Sequence, residues 1–475
     1  MSTTASISSP SGTFNGISHE NGQTSFRGIK FATSQRWEAP VDIEAYESVV
    51  DATSDGFISP QVPGFLEQML GTDASSMSED CLHLNVFCPA GATDASKLPV
   101  LFWIHGGAYT NGAGSIAWYD GLKLAARGTV VVAINYRLGA LGFAGDGNFG
   151  LLDMLSGLRW VQRNISSFGG NPENVTIFGE SAGGSAVVSL MATSAVNSLF
   201  HKAWAMSPSI GQLRNAERAQ ELLAQFLEIL DVDSLSDGQQ KTLDQVLEAQ
   251  TAAALIPSKG FDVFSPTAGG AEIHGDILEL AGKANIPFVV GTNRDENKLW
   301  SAFDQDAASA GSAEWEAFTS ETFGDNAAEA RFVYEQLRPN EAVRELISAV
   351  NTDTSFRQRA QDLSERRCAN NMPSWMYWFT WATPAFGGIL GSCHAIDIPF
   401  AFDNLDAPGT DMLLGTDPDR QQIADRFAAE IAQFAAHGHP SWEQFNVSTR
   451  PTLELNVNVA LLNDPESEIR QLFPR

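Results

Sequence analysis

The sequence predicts an α/β fold in which a large, mostly parallel central sheet is flanked by helices. Three observations carry this. Apolar runs of strand length recur at Val100–Ile104, Val130–Asn135, Val175–Phe178, Lys202–Met206, Ile286–Gly291 and Trp375–Trp381. Such near-continuous apolarity belongs to strands covered on both faces. Helical patterns separate the runs, at Leu151–Ile165, Ser185–Thr193, Glu217–Leu230 and Gln421–Ala436, and alternation of this kind builds parallel sheets. The third observation is Val175–Gly184, V-T-I-F-G-E-S-A-G-G, where a buried strand breaks at Gly179 into small residues able to start a helix.

Taken in chain order, the first run ends in Trp103-Ile104-His105-Gly106-Gly107-Ala108-Tyr109. Its glycines let backbone N–H groups face a cavity, which acyl transfer needs because negative charge develops on the carbonyl oxygen under attack. The next feature is Ser181 in the pattern G-x-S-x-G. A serine on a sharp strand-to-helix turn takes a strained backbone, so its neighbours must be small. Its hydroxyl then stands clear of the sheet, and the first helical N–H groups point at any oxyanion formed there. Ser181 is the candidate nucleophile, and the N–H groups of Gly107, Ala108 and Ala182 are the candidate oxyanion donors.

A base and an acid must follow. Turns of this type order their triad as serine, acid, histidine, and with intervening chain to spare after Ser181 that leaves His274, His394, His437 and His439. His394 lies in a small-residue loop after the run Trp375–Trp381 and is the first candidate; His274, in a polar turn, is the second. His437 and His439 flank Gly438 after a helix, where they suit the helix dipole better than an H-x-H metal pair. Asp295 and Glu296 follow Ile286–Gly291, and the residue pattern does not choose between them as the carboxylate that would orient the imidazole. Asp397, three residues beyond His394, reads as a brace for its own loop. Every one of these elements lies just past the C-terminal end of a strand, where open parallel sheets build their sites.

Segments of about 211–260 and 300–350 carry helical periodicity between core strands and read as insertions over the active site. No repeat or low-complexity linker divides the chain, so residues 1–475 are expected to form a single domain. Apolar residues make up 43% of the chain, and the net charge of −28 argues against nucleic acid and anionic membrane surfaces as partners. No run approaches the 18 apolar residues of a membrane span, and Met1–Gly12 lacks the basic start and apolar segment of a secretory leader. Cys81, Cys88, Cys368 and Cys393 fit no zinc or redox spacing and are expected to be free thiols in a reducing compartment. Trp118, Phe149, Phe264 and Phe386 are candidates for lining an apolar pocket.

Further segments carry a family signal. They are Phe26-Arg27-Gly28-Ile29-Lys30-Phe31-Ala32, Ser78–Asn85, Asn135-Tyr136-Arg137-Leu138-Gly139, Gly147–Asp153 and Phe168-Gly169-Gly170-Asn171-Pro172. Together with His105–Tyr109, the Ser181 turn, Gly291–Glu296 and His394–Phe400, they span most of the chain. On these residues the chain resembles the type-B carboxylesterases, a group of α/β-hydrolases that includes bacterial para-nitrobenzyl esterases, animal carboxylesterases and cholinesterases. The resemblance implies an α/β-hydrolase fold and hydrolysis of small apolar esters through an acyl-enzyme. It assigns Ser181 as nucleophile, Glu296 as acid, His394 as base, and Gly107, Ala108 and Ala182 as the oxyanion hole, with Ser209 and Glu180 supporting the triad from beside it. It implies no cofactor and no metal, a small-molecule ester as the only partner, a monomer or homodimer, and a cytoplasmic bacterial enzyme.

Departures from the family pattern are informative. Secreted relatives pair the cysteine matching Cys81 with one about two dozen residues on, where this chain has the strand around Phe102 and Trp103, so that disulfide is absent. Asn171 stands where many relatives carry an aspartate that pairs with the arginine matching Arg137. Pro208 replaces a usual glycine beside Ser209, and Pro60–Met77 holds no counterpart of the choline-binding tryptophan. The alternatives are a specialised amidase or a carbamate, lactone or toxin-ester hydrolase, and, in a different class, a non-catalytic binding protein.

Overall fold

The computed structural model describes residues 3–62, 64, 76–255, 264–304 and 309–473. Residues 256–260 and 305–308 of the two helical segments, and much of Pro60–Met77, lie outside the described residues. The strands are β1 (Thr3–Ser9), β2 (Gly12–Ser18), β3 (Thr24–Lys30), β4 (Ala32–Thr33), β5 (Val41–Asp42), β6 (Val50–Asp51), β7 (His83–Cys88) and β8 (Leu98–Ile104). They continue with β9 (Val130–Ile134), β10 (Gly170–Glu180), β11 (Lys202–Met206), β12 (Phe288–Asn293), β13 (Ser374–Phe379), β14 (Pro451–Leu455) and β15 (Ala460–Asn463).

Among the described residues, a 13-stranded sheet runs in the order β1-β2-β3-β7-β9-β8-β10-β11-β12-β13-β14-β15, with β6 added beside β2; β4 and β5 form a separate ribbon. From β9 to β14 every neighbouring pair is parallel. The antiparallel part lies at the two ends. The parallel centre agrees with the apolar runs, whose side chains enter opposite faces with the period of two that a strand imposes. Val100, Phe102 and Ile104 of β8, with Val130, Val132 and Ile134 of β9, join one core. Leu101, Trp103, Val131 and Ala133, interleaved with them, join the other. Helices Phe149–Asn164, Ala182–Met191 and Gln358–Ala369 cover the first face through Leu151, Leu158, Val187 and Leu363. Helix Arg420–His437 covers the second through Phe427, Ile431 and Phe434. Each such side chain contributes about 1.5–3 kcal/mol by leaving water.

The N-terminal strands were not legible as apolar runs. β2 reads G-T-F-N-G-I-S and buries only Phe14 and Gly16 fully, so its pattern is short and interrupted by small polar residues. Helices Ala216–Leu230 and Leu243–Ala254 lie in the 211–260 segment, and their Leu222, Phe226 and Val246 join the first core. In the 300–350 segment, helices Ser312–Phe323, Ala327–Leu337 and Val343–Thr352 close around Trp315, Tyr334, Leu346 and Val350, together with Ile469 and Leu472 of the last helix. No helix among the described residues is long and apolar enough to cross a membrane.

Two further observations bear on the sequence reading. All four cysteines are free, and Cys81, Cys88 and Cys393 are buried; burial pushes the Cys81 and Cys88 thiols up to about 12, which leaves them unreactive. Arg137 also keeps a carboxylate partner despite Asn171, whose side chain instead accepts the Glu173 N–H at 3.0 Å. Asp153 takes that place, accepting from Arg137 Nη2 at 2.7 Å and Nε at 2.8 Å, with both side chains almost wholly buried. The remaining Nη1 donates to Glu38 O at 2.7 Å, so the guanidinium ties the N-terminal region to helix Phe149–Asn164. Removing one partner strands the other charge in the core. Asp153→Ala is therefore expected to lose about 3–5 kcal/mol of stability, read as a lowered urea midpoint.

Candidate active site

Strands β8, β10, β12 and β13 run parallel, so the loops after them leave the sheet at one edge. After β10 comes Ser181, at φ 57° and ψ −120°, followed directly by helix Ala182–Met191. Its N–H donates to Met206 O at 2.9 Å, which pins the turn to the end of β11. The two glycines of the motif are there for close approach. A Cβ on Gly179 would stand 2.6 Å from Ile104 O, and one on Gly183 would stand 2.0 Å from the same oxygen. The helix is pressed against the strand it leaves, and no other residue fits at those two positions.

The loop after β8 passes alongside. Gly107, Ala108 and Tyr109 all have positive φ, at 104°, 51° and 59°, and Gly107 O accepts from the N–H groups of Thr110 and Asn111 at 2.9 Å. A Cβ on Gly106 would lie 3.1 Å from Ser181 Cβ, so this loop runs against the serine. The N–H groups of Gly107 and Ala108 have no acceptor among the described residues. Ala182 opens its helix, where first-turn N–H groups lack an intrahelical partner. His105 belongs to the scaffold: its ring stacks on Tyr136 with centroids 4.5 Å apart, Tyr136 Oη donates to its carbonyl, and burial holds its pKa down at about 4.

Glu296 and His394 meet between the loops that follow β12 and β13. His394 Nδ1 lies 2.6 Å from Glu296 Oε2, and both side chains are buried. The neighbouring carboxylate goes elsewhere: Asp295 accepts the Ser392 N–H at 3.0 Å and faces Lys298 and Arg338 at 3.3 and 3.6 Å. Burial alone would raise its carboxyl, but those cations hold it below the usual range. Asp397 is buried with Tyr377 Oη and Asn293 Nδ2, each 3.3 Å from one of its oxygens. Its carboxyl is pushed up to about 7, first by burial and then by the charge of Glu296. Of the two adjacent carboxylates, Glu296 is the one in hydrogen-bond contact with the His394 ring.

On its other side, His394 Nε2 lies 3.2 Å from Glu180 Oε1, so the imidazole sits between two carboxylates. Burial disfavours its charge, yet Glu180 and then Glu296 outweigh that and raise its pKa to about 9. Glu180 is itself pushed up to about 8, by burial first, against the opposing pull of His394. Two aromatic rings cover the imidazole: Trp300, with ring centroids 5.0 Å away, and Phe356 at 4.9 Å, stacked on one another 6° from parallel. Phe356 sits in a single π-helical turn, Asp353–Arg357, and Trp300 in the short helix Lys298–Ser301.

Several candidates fall elsewhere. His274 is exposed, and His437 and His439 lie 6.1 Å apart at the end of helix Arg420–His437. No group of three metal-ligating side chains occurs among the described residues. Ser209 bonds Ser185 at 3.2 Å and so braces the helix after Ser181; no contact joins it to the imidazole. The four aromatics expected at the pocket have other contacts. Trp118 donates to Pro408 O, Phe149 lies under the Arg137 guanidinium, Phe264 packs edge-on to Phe226, and Phe386 meets Phe303 at the surface. Trp300 and Phe356 were not foreseen, because helical periodicity does not report which face meets a loop far along the chain. Asn293 was missed too, although it lies within the quoted segment Gly291–Glu296.

A profile of the carboxylesterase family matches residues 3–471. The chain is 36% identical to the para-nitrobenzyl esterase of Bacillus subtilis (strain 168), over 96% of each protein. It is 32% identical to the fumonisin B1 esterase of Sphingopyxis macrogoltabida, covering 90% of this chain and 81% of that one. Among solved structures, a thermophilic PNB esterase superposes with a TM-score of 0.85 at 32% identity, covering 99% of this chain and all of the other. A Geobacillus stearothermophilus carboxylesterase gives 0.86 at 28% identity with the same coverage.

The two-carboxylate cradle makes a direct prediction. Glu180→Gln removes one of the two carboxylates beside the imidazole, so the His394 pKa should fall. Selective ¹⁵N labelling of histidine and an NMR titration would read it.

Proposed function

Because the chain belongs to the carboxylesterase family and hydrolyses carboxylic esters, we propose that Ser181 is its nucleophile, His394 its general base and Glu296 the acid that orients the base. His394 takes the Ser181 proton as the hydroxyl oxygen attacks the ester carbonyl carbon. The N–H groups of Gly107, Ala108 and Ala182 receive the oxyanion. His394 then gives its proton to the departing alcohol, and a water deprotonated at the same nitrogen frees the acid. Glu296 accepts the Nδ1 proton and so fixes the tautomer whose Nε2 takes the serine proton. The observation that carries this reading is the buried 2.6 Å contact between Glu296 and His394, on loops that leave the same sheet edge as Ser181. The strained turn at Ser181 supports it independently.

The substrates are small apolar esters. Trp300 and Phe356 favour this, because stacked rings against the imidazole offer an apolar surface where the alcohol portion departs. Free, buried thiols at Cys81 and Cys88 favour a reducing, cytoplasmic location. The helices of 211–260 and 300–350 act as insertions of one catalytic unit, the latter contributing Trp300 to the site.

Ser181→Ala is expected to lower kcat on p-nitrophenyl acetate by about 10⁴-fold or more, with folding unchanged by circular dichroism. Retention of more than a few per cent of turnover would refute the assignment. Trp300→Ala should cut the preference for benzyl over ethyl esters by about tenfold in kcat/KM, the range one apolar contact commands.

A further inference from the structure

Glu296 and His394 arrive on separate loops, so the length of their hydrogen bond is set by whatever joins those loops. Asp295 N–H donates to Ser392 O at 2.9 Å, and His394 N–H to Glu296 O at 3.2 Å. Asn293, the last residue of β12, does something different, because it touches both partners. Its N–H donates to Glu296 Oε1 at 2.6 Å, which leaves Oε2 for the imidazole. Its side-chain Nδ2 donates to Cys393 O at 2.8 Å, the carbonyl of the peptide bond that leads into His394. The same Nδ2 lies 3.3 Å from Asp397 Oδ1.

We propose that Asn293 is a positioning residue that holds both ends of the Glu296–His394 hydrogen bond, the carboxylate through its backbone and the imidazole-bearing peptide through its side-chain amide. The inference rests on the triad reading above. The orientation of the amide follows from chemistry: both neighbours are acceptors, so the NH₂ group must face them. Its oxygen, Oδ1, is then left buried without a partner among the described residues. An orphaned buried acceptor weakens a fold, so stability alone does not account for this residue. The local backbone also needs the help. Ala395, just after His394, has φ 64°, and the bond from Ile396 N–H to Cys393 O across its turn is long, at 3.4 Å. The Asn293 amide makes the shorter bond to that carbonyl and fixes the plane of the peptide carrying the imidazole.

The imidazole must take and return a proton without its ring drifting, and a misplacement of about 1 Å costs about 100-fold in rate. The test compares Asn293→Ala and Asn293→Asp with the parent, using kcat per active site titrated by a p-nitrophenyl phosphonate, so that misfolded protein drops out. With p-nitrophenyl acetate, kcat per titrated site should fall by about 100-fold while KM stays within about twofold. The low-field proton resonance of the Glu296–His394 bond should shift upfield or vanish, whereas a purely structural role would leave it in place in the folded fraction. A kcat within about threefold of the parent, or an unchanged resonance, overturns the proposal. Should neither variant give titratable sites, Asn293→Ser decides by the same measures, and failure of all three to fold assigns Asn293 to the fold and also overturns it. Ser181→Ala run alongside separates the two inferences. If that variant turns over, the triad reading falls; if it is dead while the Asn293 variants are unimpaired, only the present proposal falls.

Discussion

The hydrogen bond from His394 to Glu296 spans 98 residues of chain and sits wholly out of water. In that setting it is both stronger and less forgiving than the same contact at a surface, because a low local dielectric amplifies an attraction and penalises a misplaced partner alike. Much of the surrounding structure follows from keeping it. Asp295 is drawn off by Lys298 and Arg338, so that one carboxylate and not two competes for Nδ1. Glu180 lies at the opposite edge of the ring, 3.2 Å from Nε2. Carboxylates in these two positions favour the charged imidazolium over the neutral ring.

The sheet supplies the second constraint. Residues far apart in sequence converge because β8, β10, β12 and β13 point the same way, and the buried side chains of β12, β13 and the C-terminal parts of β8 and β10 leave little freedom for one strand to slide past another. A shift of one residue would exchange the two faces of a strand and send every core side chain to the wrong layer. The loops inherit that rigidity. At Ser181 it is sharpened by the contact of Gly183 with Ile104, which leaves no room for even a methyl group.

What could be read in the sequence follows the same physics. The parallel strands were legible because burial on both faces makes them continuously apolar, as in Val130–Ile134. The strained turn at Ser181 was legible because it demands small neighbours in fixed places. The N-terminal β1–β3 were not, since strands with one half-covered face carry short and mixed patterns. The choice of Glu296 over Asp295 depended on resemblance, because adjacent carboxylates differ only in which way the backbone turns them. The aromatic neighbours of His394 were illegible for a similar reason. Phe356 and Trp300 look like any amphipathic-helix residues until tertiary packing brings them to the imidazole, while exposed Phe386 and buried Trp118 look equally suited to a pocket.

Phe356 owes its position to the wide turn Asp353–Arg357, and such a turn holds one residue more than the α-helical geometry on either side. Each residue advances a helix by about 100°. Loss of a single codon in this stretch would therefore restore regular winding and swing the phenyl ring off the imidazole, while the sheet and the three loops beneath stayed untouched. The aromatic wall beside the imidazole can thus be redrawn in one genetic step, by a change of length rather than of residue type.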